Sequence, residues 1–360
     1  MASYQKSANG NWTVRFRTYE DNSIIQKRLS GFKTKKEAEA AYMAFAATHK
    51  NDLKPVKELS FEALFYEYVN YQKVLLKETS VYDINIIAKK HILPYFGKKQ
   101  ARSIKKADII KWQTEISENN FSYNYLCKIR NILSAIFEYG VQAHDLTNPV
   151  KQTRTFRNRE MKKEMQFWTK EEFDAFIACA DDITYKTFFT FLFMTGCRKG
   201  EALALKWEDI NWKNQTAKIS KTLVRKFDFE KHPDANYLLT SPKNQTSNRT
   251  IDLATSLVNL LKIYKAEKGY TENQFVFAGD MPLKQTTTTR RLAEYCKKAD
   301  VKQIRLHDFR HSHASLLIGK GVDIVSVAKR LGHSDIEQTL NTYSHFLPEN
   351  SVKIKDAIEF

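Results

Sequence analysis

Tyr343 stands in a polar stretch, RLGHSDIEQTLNTYSHF, that also holds His333 and His345. A tyrosine is a poor general base because its phenol titrates at about pH 10, and as a covalent nucleophile it needs help from neighbours. Candidate helpers lie upstream. Arg198 is in MTGCRKGEALAL, where Gly196 permits a sharp turn and Glu201, three residues past the arginine, is near enough to orient it. Lys243 is in TSPKNQTSNRTIDL, and Lys221, Lys226 and Lys231 compete with it. LHDFRHSHAS sets His307 and Arg310 three apart on one helical face, with His311 and His313 beside them. These histidines lack H-E-x-x-H spacing and a convincing carboxylate or cysteine partner, so no metal is expected.

Two arginines, a lysine, histidines and a tyrosine without a metal suit phosphoryl transfer on a diester. Charge gathers on the phosphorus oxygens, and fixed positive donors can take the place of a metal ion. The planar arginine fork binds two such oxygens at once. An attacking phenol needs a proton acceptor and a leaving alkoxide needs a donor, roles open to histidine and lysine.

The elements that must position these groups can be read from pattern. TFFTFLFMTG is an apolar helix that Gly196 ends, with Arg198 near the start of the next helix. The flanks of Lys243 read as strands, which puts the lysine at a hairpin tip. Gly332 is a helix stop after IVSVAKRL. TKEE, at Thr169–Glu172, is a capping box opening the block that carries all of these residues.

Two further blocks precede that one. NWTVRFRT alternates, with Trp12, Val14 and Phe16 on one face and Thr13, Arg15 and Arg17 on the other, so it is a strand. IIQKRLSGF, which contains Arg28, is a second strand, and a helix follows behind a Thr34/Glu37 capping box. Residues 1–54 carry ten Lys/Arg against five acids. A sheet with one apolar face and one arginine face suits insertion into a DNA groove. After the NDLKPVK linker the chain turns helical. In YLCKIRNILSAIFEYG, Leu126, Ile129, Leu133, Ile136 and Phe137 face a core, while Lys128 and Arg130 point elsewhere and are candidate DNA contacts. Pro149 ends that block, and the basic stretch Lys151–Gln166 can track a phosphate backbone.

At 360 residues the chain is long enough for two or three domains, and 42% apolar residues can build their cores. A net charge of +17 calls for a polyanion, with nucleic acid first. The longest apolar run falls well short of the roughly 20 residues of a membrane span, and MASYQKSANGNW has no signal-peptide core. Cys127, Cys179, Cys197 and Cys296 lack paired spacing and read as reduced thiols, so a cytoplasmic location is expected.

The order Arg198, Lys243, HDFRH, LGHSDIEQTLNTYSH resembles the tyrosine recombinase (phage integrase) family, most specifically in H-x-x-R followed by L-G-H and T-x-x-x-Y. The first block resembles the arm-type DNA-binding domain of phage and conjugative-transposon integrases, and the second resembles their core-binding helical domain. The resemblance implies a multidomain, mainly α fold with small β elements. Its parts would be an N-terminal sheet-plus-helix arm-binding domain (1–54), a helical core-binding domain (58–150), a basic linker (151–166) and an α-rich catalytic domain with a small sheet and C-terminal tail (167–360).

The implied activity is site-specific recombination that integrates and excises a mobile element such as a prophage, with no cofactor, metal or ATP. Tyr343 would attack the scissile phosphodiester and form a 3′-phosphotyrosyl link. Arg198 and Arg310 would clamp the non-bridging oxygens and His333 would hydrogen-bond the same phosphate. Lys243 would protonate the leaving 5′ oxygen, and His307 would help move the tyrosine proton. Implied partners are double-stranded DNA attachment sites, three further copies of the chain in a homotetramer on DNA, an excisionase and a DNA-bending host factor, in the cytoplasm and nucleoid of a bacterial host. The segment after Pro348 would pack on a neighbouring protomer. Two rivals share parts of this pattern. One is a type IB topoisomerase. The other is a non-catalytic helix-turn-helix regulator, with Gly332 at its turn.

Overall fold

The protein is seen in a computed structural model that describes residues 2–7, 9–20, 23–49, 59–158, 165–225, 237–241, 245–333 and 335–343. Lys226, Lys231, Lys243, His345, the 51–57 linker and the segment after Pro348 lie outside the described residues. The chain divides into two compact units, Met1–Met161 and Lys162–Phe360.

The first unit begins with a three-stranded antiparallel sheet of order β1-β2-β3 (Ser3–Lys6, Trp12–Glu20, Ser23–Phe32), followed by helix α1 (Lys35–Thr48). Val14, Phe16 and Thr18 of β2 are buried, and the Phe16 ring lies 5.0 Å from Tyr42 and 4.9 Å from Phe45 of α1. Arg15 and Arg17 are exposed on the opposite face, with Arg28 directly across from Arg15. Thr13 was expected beside those arginines but is buried, and Trp12 is only half-buried. The pairing register shifts between these two residues, and such a bulge breaks the alternation of faces. The cap of α1 also differs in detail: Thr34 Oγ1 accepts from Glu37 N, but the Glu37 carboxylate reaches back to Lys33 N, one residue before the cap.

A helical cluster follows: α2 (Phe61–Leu75), α3 (Glu78–His91), the single turn α4 (Leu93–Phe96), α5 (Lys106–Ser117) and α6 (Tyr123–His144). All five residues assigned to the core face of α6 are buried, and Phe137 packs 5.2 Å from Phe61 at the centre. Lys128 is exposed and pairs with Asp83 at 3.1 Å. Arg130 has a different place from the expected one. Its Nη2 donates to the carbonyls of Val150 and Thr153, both at 2.9 Å, so its guanidinium ties down the chain after Pro149. Gln113 holds the Arg154 carbonyl and Phe156 packs on the same core, so the first residues of the expected basic linker belong to this helical body.

The second unit is built around α8 (Ile183–Thr195), which is apolar nearly all round and therefore buried. It is preceded by α7 (Lys170–Ala178), whose Thr169/Glu172 capping box forms in both directions, and Phe173 of α7 stacks on Phe193 of α8 at 3.8 Å. After α9 (Lys199–Ala204) come β4 (Ile210–Asn211), β5 (Thr216–Ile219), β6 (Thr222–Val224), β7 (Leu238–Thr240) and β8 (Arg249–Asp252). They form two sheets, β4-β5-β8 and β6-β7. The strands on either side of position 243 were expected to make one hairpin; instead β7 pairs with β6 and β8 with β5, in separate sheets. Among the described residues five helices follow: α10 (Thr255–Lys268), α11 (Gln285–Ala299), α12 (Asp308–Gly319), α13 (Ile324–Leu331) and α14 (Ile336–Tyr343). No helix among the described residues is long and apolar enough to cross a membrane.

Candidate active site

The second unit gathers Arg198, His307, Arg310, His333 and Tyr343 at the ends of α8, α9, α12, α13 and α14. The frame starts where α8 ends. Gly196 has φ 64, and a Cβ there would stand 2.6 Å from the His313 ring, so glycine is required for both backbone and space. Its carbonyl is free to accept from Arg310 Nη1 at 3.1 Å.

Arg198 opens α9. Its backbone N–H donates to Glu201 Oε2 at 3.0 Å and its Nη1 donates to Oε1 at 2.8 Å. The same Oε2 accepts from Arg249 Nη2 at 3.0 Å, so one carboxylate, 3% exposed, orients two arginines. Burial pushes the Glu201 carboxyl upward, but Arg249 and Arg198 outweigh it and hold the group below the ordinary range, so it stays charged. Arg249 also donates Nε to the Arg330 carbonyl at 2.7 Å, and Arg198 Nη2 reaches the Gly332 carbonyl at 3.3 Å. Both arginines thus join β8 and α9 to the end of α13.

Arg310, on the first turn of α12, is 3% exposed. It forms no ion pair with a carboxylate among the described residues, and its Nη2 is buried without a hydrogen-bond partner. Burial, then the Arg198 charge, pushes it down to about 10, so it remains a cation at neutral pH. A buried guanidinium with an unpartnered donor is costly unless an anion satisfies it. His313, one helical turn on, has no spare nitrogen: Nδ1 faces the Phe193 carbonyl at 2.8 Å and Nε2 accepts from Arg330 Nε at 3.0 Å. It pins α12 to α8 and α13.

Gly332 ends α13 with φ 70. The N–H of His333 returns to the Ala328 carbonyl at 3.1 Å and that of Gly332 to Lys329 at 3.0 Å, which closes the helix and fixes where His333 begins. His333 Nδ1 lies 2.6 Å from Thr339 Oγ1 on α14. Burial, then Arg310 and Arg198, pushes His333 down to about 4, so it is neutral at pH 7. In the tautomer where the Thr339 hydroxyl donates to Nδ1, Nε2 carries the proton and is a donor.

Tyr343 is the last residue of α14 and is 1% exposed. Burial pushes its phenol up to about 12, with Arg310 pulling the other way. The imidazole that meets the phenol is not the expected one. His311 Nδ1 lies 2.7 Å from Tyr343 Oη, whereas His307, at the N-cap of α12, stands edge-on to the His311 ring at 5.2 Å. His307 keeps an exposed edge and is pushed down to about 4, first by burial and then by His311 and Arg310.

Five of the six expected residues are thus in one place, and Lys243 lies outside the described residues. Sequence reasoning missed Arg249 and gave no role to His311, the last residue of HDFRH, or to Thr339, the first of T-x-x-x-Y. His311 was set aside with the metal question although it adjoins Arg310. Thr339 lies six residues after His333, a reach that only a turn into α14 provides. Arg249 carried no local signal, because its partner Glu201 is 48 residues away.

Residues 166–350 match the phage integrase family, residues 60–117 its N-terminal SAM-like domain, and residues 2–47 the Arm DNA-binding domain. The chain is 30% identical over 319 residues to the ICEBs1 integrase of Bacillus subtilis (strain 168), covering 84% of this chain and 83% of that one. In fold it is similar to the Tn1549 transposon integrase in complex with transposon right end DNA, with a TM-score of 0.68 at 18% identity, covering 83% of this chain and 99% of that one. It is also similar to a lambda integrase tetramer bound to a Holliday junction, with a TM-score of 0.57 at 16% identity, covering 92% and 95%.

Proposed function

This chain belongs to the phage integrase family, and we propose that it integrates and excises a mobile element by cleaving and rejoining DNA through a 3′-phosphotyrosyl link to Tyr343. The observation that carries this reading is Arg310: a buried cation with a vacant donor, no carboxylate partner among the described residues, and Arg198 near enough for the charges to be felt. A scissile phosphate is an anion that this donor and Arg198 would bind.

Arg310 and Arg198 bind the non-bridging oxygens and stabilise the charge that builds there. His333, neutral and with Nε2–H available, donates to the same phosphate. Tyr343 Oη attacks phosphorus in line, and the 5′ oxygen leaves with a proton from Lys243. The bond energy is kept in the phosphotyrosyl ester, so a 5′-hydroxyl from a second duplex can reverse the step without ATP. No metal is needed, because the arginines supply the charge.

Substrates of this reading are double-stranded attachment sites on the chromosome and the element, recombined by a homotetramer, with an excisionase and a DNA-bending host factor setting direction. Arg15, Arg17 and Arg28, together on an exposed sheet face, suit contact with arm sites. Lys128 remains a candidate for core-site DNA, and Arg130, committed to backbone carbonyls, a weaker one. The test is a nicked suicide substrate that traps the covalent complex. Tyr343→Phe is expected to bind DNA and give no adduct, and wild-type adducts are expected to persist in EDTA. Adducts formed by Tyr343→Phe would rule the assignment out.

A further inference from the structure

The hydrogen bond between His311 and Tyr343 assigns a group that the family resemblance left to His307. His311 Nδ1 is 2.7 Å from the phenol oxygen, and the two rings are tilted at 5.8 Å between centroids. His311 follows Arg310 directly in α12, so one helical turn presents both the phosphate-binding guanidinium and the imidazole against the nucleophile. Tyr343 is closed off from water, which leaves no solvent base to take its proton. No hydrogen bond joins His307 to Tyr343 among the described residues; His307 meets the His311 ring edge-on instead.

We propose that His311 is a further catalytic residue, the general base that takes the Tyr343 proton on Nδ1 during strand cleavage and returns it during rejoining. This rests on Tyr343 being the nucleophile. The balance is complete. The Tyr343 O–H bond breaks and an N–H bond forms on His311; the phosphorus–tyrosine oxygen bond forms and the phosphorus–5′ oxygen bond breaks. The departing 5′ oxygen takes its proton from Lys243, and rejoining runs each transfer backward.

The surroundings suit the role. The groups that face His311 are Arg305, His307, Asp308 and Arg310 from α12 and the turn before it, Tyr343 from α14, and the ring of His333, which feels its charge. Burial lowers the imidazole below its ordinary value, so it is neutral and able to accept at pH 7, while Asp308 opposes the fall and steadies the cation that forms. The phenol is pushed up to about 12. A free exchange between such unequal partners would leave the proton on tyrosine, so transfer must accompany attack on phosphorus, which is how a general base works.

The test uses the full chain and a suicide DNA substrate. His311→Gln is expected to bind DNA as wild type does and to cleave about 10²–10⁴-fold more slowly, the usual range for losing a general base. Its rate is expected to rise with pH well above neutrality, where wild type has levelled off. Difluorotyrosine at position 343, a more acidic phenol, is expected to restore much of the lost rate in His311→Gln and to change wild type little. Wild-type cleavage by His311→Gln would overturn the proposal. So would a loss that difluorotyrosine does not recover, because that marks a packing role. Tyr343→Phe run alongside separates the two readings. Adducts there would remove the nucleophile itself, whereas their absence with normal cleavage by His311→Gln would remove only the base.

Discussion

Glu201 shows how much of the site depends on a buried residue that orients others. Its two oxygens hold Arg198 and Arg249, and Arg249 has a side chain only 8% exposed. Removing one charge from a buried pair strands the other, at a cost of about 3–5 kcal/mol. Glu201→Gln is therefore expected to lower stability by about that amount, measured by urea unfolding. Cleavage should fall further than lost folding explains, because Arg198 loses its register. An unchanged unfolding midpoint would contradict this. The Arg198–Glu201 half of the arrangement was legible in the sequence, since three residues on a helix is a local relation. The Arg249 half was not, because a contact 48 residues away depends on which strands pair. The same limit hid His311: proximity to Arg310 is visible in HDFRH, but proximity to Tyr343 requires α14 to fold back over α12.

Among the elements, the ends of helices hold the residues proposed for catalysis. Arg198 begins one, Arg310 is in the first turn of another, and His333 and Tyr343 follow or finish two more. Gly332 is one exacting end: φ is 70, its carbonyl binds Arg198, and a Cβ would meet Arg249 Nη1 and the Thr246 carbonyl, each at 3.1 Å. A side chain in the left-handed region costs about 1–2 kcal/mol before any clash. Gly332→Ala is expected to lower the melting temperature by several degrees and to impair cleavage. Gly319→Ala, with open space around its Cβ, is expected to leave both unchanged. Equal effects of the two substitutions in thermal melts would contradict the assignment. Elements defined by periodicity and caps, such as α6, α8 and the Thr169 box, were legible because those signals are local. The strands around Lys243 were misread because adjacency in sequence suggested a hairpin, while β7 and β8 take partners in separate sheets.

For the whole molecule, the net charge of +17 is spread over parts with different tasks. The N-terminal sheet places Arg15, Arg17 and Arg28 on one exposed face and buries Val14 and Phe16 on the other, so it has a basic face and a core of its own. Deleting residues 1–54 is expected to leave cleavage of a minimal core site intact and to weaken recombination between full attachment sites. Unchanged recombination on full-length DNA would contradict an arm-binding role. Alternation in NWTVRFRT made this face legible except at Thr13, where a bulge, invisible to a two-residue period, turned one side chain inward.

The central claim is that Tyr343 carries the DNA. The most direct measurement is to trap the covalent complex on a suicide substrate, digest the protein and the DNA, and locate the remaining nucleotide by mass spectrometry. The expected result is a 3′-linked nucleotide on the peptide containing Tyr343 and on no other tyrosine. A nucleotide on a different residue, or one linked through a 5′ phosphate, would contradict it.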